Sequence, residues 1–263
     1  MVIEKLDARI CLFLEMAKGV PIITLTRNEL LTFNNNSIIF RHGATLINHQ
    51  GRLQGSIDTE ETRLTADAVQ LTTQQAIEML PSLKNEPLII ASHMKRAVET
   101  GWIIKGVLQT GGLLTPKTCV LENAGEFSFG DWEKLLIEQL VAGTNGSEHE
   151  RVWIPNPFNA SLVGLPPNGE NMFAFAYRVQ KIIRKINRLS QENNAQCIVV
   201  THAMVGRMIR YLSMLLAEQG SGGLTAYTLY KNGARFFKDG NSNFVKIPNG
   251  KLDNAHHLKL PVE

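Results

Sequence analysis

The chain has 263 residues, 44% of them hydrophobic and 19% charged. That is enough to fill one large domain or two small ones with an ordinary core. Twenty-seven Lys and Arg against 24 Asp and Glu leave a net charge of +3, which excludes the strongly basic balance of a dedicated nucleic-acid binder but not a local basic pocket. The three cysteines, Cys11, Cys119 and Cys197, are widely spaced and form no C-x-x-C pair, against both a disulfide scaffold and a cysteine-rich zinc site. No apolar run approaches the roughly eighteen residues of a membrane helix. The best N-terminal run, residues 10–14, is short and lies near Glu4, Asp7 and Glu15, unlike a signal peptide. A cytoplasmic location without membrane contact is expected.

Residues 1–36 predict an amphipathic helix and a strand-like stretch at 22–25, an N-terminal extension packed on or preceding the rest. The β-branched runs at 37–40, 88–91 and 197–200 have the composition of strands buried on both faces of a parallel sheet. Helices are predicted over 64–80, opened by Thr65 and stopped by Pro81, and over 94–108 and 131–142. Residues 143–169 carry four of the ten prolines and read as a long irregular, lid-like insertion, with Trp153 and Phe158 arguing against full disorder. The clearest helix starts near Asn171, with Met172, Phe175, Ala176, Val179, Ile182, Ile183, Ile186 and Leu189 at three- and four-residue steps. Arg178, Lys181, Arg184, Lys185 and Arg188 on its other sides read as a solvated face rather than a phosphate-binding stripe. Residues 226–230 and 234–237 flank Lys231-Asn232-Gly233 and predict a hairpin. The alternation of strand and helix gives an α/β fold: a three-layer α/β/α sandwich around a mostly parallel sheet with a C-terminal antiparallel hairpin, the main domain covering 37–258.

No Walker-type phosphate loop, G-x-S-x-G elbow or H-E-x-x-H motif is present. Instead, polar clusters follow the buried strands: Arg41-His42-Gly43 after Phe40, Ser92-His93-Met94-Lys95-Arg96 after Ala91, and Thr201-His202 after Val200. In an open α/β sheet the carboxyl ends of strands meet in one crevice, where ligands bind. Arg41, His42, Arg96 and His202 therefore converge on an anion-seeking pocket suited to phosphate. Positive neighbours keep an imidazole neutral, and a neutral ring nitrogen facing phosphorus is a nucleophile. Arginines that hold the equatorial oxygens make a metal unnecessary, whereas an acid is needed for the departing alkoxide and then a base for water.

These motifs resemble the histidine phosphatase superfamily of phosphoglycerate-mutase-like proteins. Arg41-His42-Gly43-Ala44-Thr45-Leu46-Ile47-Asn48 is similar to its R-H-G-x-[TS]-x-x-N, and Gly51-Arg52-Leu53-Gln54-Gly55 to its G-R-x-Q-G. The run from Ala91 to Thr100 resembles S-S-x-L-x-R-A-x-x-T. Glu126-Phe127-Ser128-Phe129-Gly130-Asp131-Trp132-Glu133 resembles E-x-x-F-G-x-W-E, and Gly169-Glu170 a G-E element before a long helix. Val199-Val200-Thr201-His202 supplies the second histidine, and Asp253 to Leu258 resembles a common C-terminal ending.

The resemblance implies that His42 is phosphorylated while Arg41, Arg96 and His202 cradle the phosphoryl group, with no cofactor. Asn48, Gln54, Gly55 and the backbone at Ala203 would bind substrate; Ala203 stands where the family usually has Gly. His93 replaces a residue that is often acidic or proline. Glu126 is favoured as acid by its register to Gly130, with Glu122 one helical turn away as the alternative. The partner implied is a small phosphorylated substrate, with a phosphoprotein compatible with the same chemistry. A phosphatase is the first reading. A mutase-type phosphotransferase and a catalytically silent phosphate-binding module are the alternatives. Taken singly, Gln54-Gly55 also fits a mere turn, Phe129 and Trp132 fit packing, Cys197 fits the core, and His49, His149, His256 and His257 fit ordinary structural or surface roles.

Overall fold

The structure is a computed structural model that describes residues 8–83, 86–112, 116–142, 148–219, 222–238 and 249–251. Helix α1 (Ala8–Met16) leads to the short strand β1 (Pro21–Ile23) and helix α2 (Arg27–Asn36). Helix α2 opens on a capping box: Thr26 Oγ1 accepts from Glu29 N while the Glu29 carboxylate accepts from Thr26 N. It runs directly into β2 (Ser37–Arg41), which is followed by α3 (Leu46–His49) and α4 (Ala66–Met79). Then come β3 (Leu88–Ser92), α5 (Lys95–Thr110), β4 (Thr118–Leu121), α6 (Ile137–Ala142) and α7 (Pro157–Leu162). The 22-residue α8 (Met172–Asn193) precedes β5 (Cys197–Thr201), α9 (Ala203–Gln219), β6 (Leu224–Thr225), α10 (Ala226–Asn232) and β7 (Gly250–Lys251).

The predicted apolar runs form the middle of a five-stranded sheet of order β4-β3-β5-β2-β7. The first four strands are parallel and β7 is an antiparallel edge on β2. Alternate residues face opposite sides of a strand, so each run feeds two cores. Ile39, Ile90 and Val199 join the larger cluster, built with α2, α8 and α9; Phe40, Ile89, Ala91, Ile198 and Val200 join the smaller one with α4 and α5. Helices thus cover both faces, as expected of the three-layer arrangement. The register Phe40↔Val200 and Ala91↔Val200 brings the carboxyl ends of β2, β5 and β3 level. Among the described residues no helix is long and apolar enough to cross a membrane.

Three expectations are corrected. The predicted hairpin is absent: residues 226–232 are helix α10, followed by a 3₁₀ turn Gly233–Arg235. Thr225 caps α10 by accepting from Thr228 N at 3.0 Å, and Gly233 serves as its C-cap. A glycine after a run of spaced apolar residues stops a helix as readily as it turns a hairpin. The antiparallel addition to the sheet comes from β7 instead. The helix expected at 131–142 is split into a 3₁₀ turn Gly130–Trp132 and α6, because Lys134 has φ 69° and donates its N–H to Leu53 O at 2.7 Å. The described part of the irregular insertion contains a π-helical turn His149–Trp153 and α7. Trp153 and Phe158 are fully buried, and Trp153 packs against Phe127, Phe129, Trp132 and Phe237.

The N-terminal segment is part of the core. β1 pairs with β6, and Ile23, Leu25, Leu30 and Phe33 are buried in the larger cluster. Lys181 and Arg188 on α8 are exposed as expected, but Arg184 joins Gln180 and Asn187 in anchoring the helix. Gln180 accepts from Thr24 N, Arg184 pairs with Glu29 at 2.7 Å and donates to Thr24 O, and Asn187 donates to Glu29 O.

Candidate active site

His42 lies one residue beyond β2, tied into the sheet through its N–H to Thr201 O at 2.9 Å. Its Nδ1 is 2.7 Å from Gly43 O. A carbonyl only accepts, so Nδ1 carries the proton and Nε2 keeps its lone pair. Arg96 Nε donates to that Nε2 at 3.2 Å. Arg96 is fixed in turn by donating to Gly55 O and Ile57 O, each at 2.8 Å; burial pulls its own pKa down to about 10. His202 follows β5, and its ring centroid lies 5.2 Å from that of His42. Its Nε2 meets Ser92 Oγ at 2.8 Å, while its buried Nδ1 has no hydrogen-bond partner. Desolvation, then the charge of Arg96, holds both imidazoles well below the usual histidine range; Arg41 acts in the same direction on each. His42, His202, Arg96 and the Arg41 charge thus meet at one sheet edge, as the sequence motifs require.

Glu126 lies close enough to Arg41 and Arg96 to feel both charges. Its Oε1 accepts from Phe127 N at 2.9 Å, and its Oε2 accepts from Met204 N, in the first turn of α9, at 3.0 Å. Burial raises its pKa above the ordinary carboxyl value, while those two N–H groups, Arg96 and Arg41 pull the other way. Glu122 is exposed on the rim. Both carboxylates, with Ser56, His93, Asn123 and Arg178, line an open cavity of about 280 Å³.

The remaining sequence-predicted groups form the wall beside Arg96. Thr45 and Asn48 make a capping box on α3, and both donate to Gln54 Oε1, at 2.9 and 3.1 Å. The buried Gln54 Nε2 has no hydrogen-bond partner. Gly55 has φ 57°, and a Cβ there would collide with the Glu133 carboxylate. Glu133 Oε1 accepts from Ser56 N at 2.7 Å and Phe129 N at 2.9 Å, so one oxygen joins the Gln54-Gly55 turn to the loop bearing Glu126. Ala203 opens α9, and the next N–H is the one taken by Glu126. Phe129, Trp132 and Cys197 are buried, and His49 is exposed. His256, His257 and the ending at 253–258 lie outside the described residues.

Two arginines escaped the sequence reading. Arg178 grips Glu170 with two hydrogen bonds, at 2.9 and 2.7 Å, and donates to Asn123 O and Gly125 O, holding the loop that presents Glu126. Arg207 is buried on α9, stacked 5.1 Å from the Phe237 ring centroid and close enough to Arg41 and Glu126 to feel both charges. Its signal was available: Arg207 interrupts the apolar stripe Met204, Met208, Tyr211, Leu215. Among the described residues no three His, Cys, Asp or Glu side chains gather into a metal-holding group.

The family model for the histidine phosphatase superfamily, branch 1, matches residues 37–225. The chain belongs to that superfamily. It is a histidine-type phosphatase by family, with a phosphoglycerate-mutase-like fold. It is 27% identical over 180 residues to the adenosylcobalamin/alpha-ribazole phosphatase of Escherichia coli K12, covering 68% of this chain and 76% of that protein. A crystal structure from Escherichia coli K-12, assigned as an alpha-ribazole-5'-P phosphatase, matches with TM-score 0.51 and 29% identity over 67% of this chain and 78% of that one. The phosphoglycerate mutase of Bacillus anthracis shares the fold, with TM-score 0.54 and 21% identity over 71% of this chain and 82% of that one.

Proposed function

We propose that this histidine phosphatase hydrolyses a small phosphomonoester without a metal, through a phosphohistidine at His42. The observation that carries the reading is the tautomer of His42. With Nδ1–H spent on Gly43 O, Nε2 offers its lone pair to phosphorus while Arg96 and Arg41 hold the phosphoryl oxygens and His202 donates from Nδ1. In the first half-reaction Nε2 bonds to phosphorus, the ester P–O bond breaks, and protonated Glu126 gives its proton to the departing oxygen. In the second, ionised Glu126 takes a proton from water, whose oxygen displaces His42 and releases phosphate. The raised pKa of Glu126 suits a group that must be protonated first and ionised later. Asn48, Gln54 and the Gly55 backbone form the substrate wall.

The name of the Escherichia coli relative makes alpha-ribazole 5'-phosphate the first compound to try. The deciding experiment follows release of phosphate from p-nitrophenyl phosphate with and without chelator, beside His42→Ala. Chelator-insensitive turnover that falls by about 10⁴ or more in the variant supports the reading. Transfer to an added phosphoglycerate acceptor in preference to water would make the protein a transferase, and no turnover with wild-type protein would leave a phosphate-binding module.

A further inference from the structure

Beside the mouth of the site lies a second cavity, of about 460 Å³, between the loop after β4 and one face of α8. Glu122, Asn123 and Arg178 line both cavities, so the second continues the first. Its walls differ from those of the mouth. Leu121, Ala124, Ile182 and the ring of Tyr177 give it apolar sides, and Lys181 and Lys185 stand over them. Tyr177 is 45% exposed, so its ring is accessible to a body lying in the cavity. Lys181 Nζ sits 4.4 Å from its ring centroid, so the cation is held over the cavity wall rather than free to wander. Among the described residues neither lysine forms an ion pair or a hydrogen bond. Arg178 is already committed to Glu170, which leaves Glu122 as the lining carboxylate against two available ammonium groups.

We propose that this cavity receives the far end of the leaving group: an apolar, preferably flat body that rests on Tyr177 and Ile182 and ends in an anion held by Lys181 and Lys185. The proposal rests on the phosphatase reading for the other end of the same molecule. The phosphate enters the His42 cradle, the chain passes Glu122 and Asn123 at the shared rim, and the terminal carboxylate or second phosphate meets the α8 lysines. A neutral tail would fill the apolar walls but leave the ammonium groups without a partner, so the charge at the end is what the site selects.

The test compares phenyl phosphates carrying para-alkyl tails of increasing length that end in a carboxylate with the same compounds as methyl esters. At the length that reaches α8, the carboxylate gains at least about fivefold in kcat/KM over its ester, mainly through KM, as expected of partly exposed charge pairs. The ratio drops to near one in Lys181→Ala/Lys185→Ala and shrinks as salt is added. A carboxylate-to-ester ratio near one at every length, or a ratio that survives the double substitution, overturns the proposal. A carboxylate that binds at α8 only as a separate inhibitor of its own phenol ester also overturns it, because the anion would then belong to an effector. Titration calorimetry of the same pairs with His42→Ala, which cannot form the phosphohistidine, reads the preference without turnover. Failure of hydrolysis would therefore sink the phosphatase reading while the binding ratio still decides the subsite.

Discussion

The phosphate cradle and the mouth beside it are built in opposite ways. In the cradle the side chains are pinned in the interior, His42 and Arg96 by two constraints each and His202 by one. His42 is fixed by a strand bond and by Gly43 O, Arg96 by two carbonyls, and His202 by Ser92, all of them buried. At the mouth, Glu122, His93, Tyr177 and Lys181 are exposed and hang from loops or a helix surface. A buried group whose bonds are all assigned can run one kind of chemistry and tolerates little change. An exposed rim can be rewritten at small cost to stability. On the proposed reading, reaction type is set at the carboxyl ends of the strands, whereas choice of substrate is set at the loop after β4 and the start of α8, beside the wall of Asn48, Gln54 and Gly55.

Several measurements break or sharpen that contrast. The largest effect belongs to Glu126, which spans the two regions. Glu126→Gln lowers kcat/KM, which reports the first half-reaction alone, by about 10²–10⁴ for alkyl phosphates but by only about tenfold for p-nitrophenyl phosphate, because a good leaving group needs no proton. An equal loss on both substrates would assign Glu126 to the cradle alone. Arg178→Ala, which frees the Glu126 loop without touching substrate phosphate, costs roughly tenfold in kcat with KM little changed. A loss confined to KM would mean that Arg178 binds substrate directly.

Acid–base behaviour provides a finer measure. His42 must be neutral to attack, and its pKa lies well below 6.5; Glu126 must be protonated to assist departure, and its pKa lies above 4.5. The profile of kcat/KM therefore rises at distinctly acid pH and falls as Glu126 ionises, with its maximum on the acid side of neutrality. Glu126→Gln removes the falling limb. Stability shows the same burial. Both histidines are neutral in the fold but take up protons when unfolded below about pH 6.5, so the unfolded chain binds more protons and Tm falls as pH drops from 7 toward 5. The smallest effect is the rise in Tm when inorganic phosphate fills the cradle, a few degrees at concentrations well above its Kd; Lys181→Ala/Lys185→Ala leaves that rise intact if cradle and mouth are separate.

The cradle was legible in the sequence because its parts are local. A β-branched run followed at once by Arg-His-Gly or Thr-His fixes both the strand and the polar residue at its end, and the parallel sheet brings the ends together without further information. The hairpin misreading arose where two structures share one pattern. Ala226 and Leu229 suit a helix face, Tyr227-Thr228-Leu229-Tyr230 also has strand composition, and Asn232-Gly233 ends either element. The cap by Thr225, three residues from Thr228, decides between them in favour of the helix. Arg178 looked like one more solvated charge because its partners, Glu170 and the carbonyls of 123 and 125, lie far from it in sequence or on another loop. Only the packing of α8 brings them within reach. Arg207 broke an apolar stripe, a visible irregularity that the Thr-His motif beside it overshadowed.

Helix α8 meets two distant segments of the chain. Near its start Arg178 steadies the loop bearing Glu126, and over roughly the next two and a half turns Gln180, Arg184 and Asn187 clasp the segment around Thr24 and Glu29. One rigid rod therefore links the amino-terminal clasp to the proton donor in mechanical series. Loosening β1 and α2 would tilt the rod and, on the proposed reading, detune proton delivery from a distance.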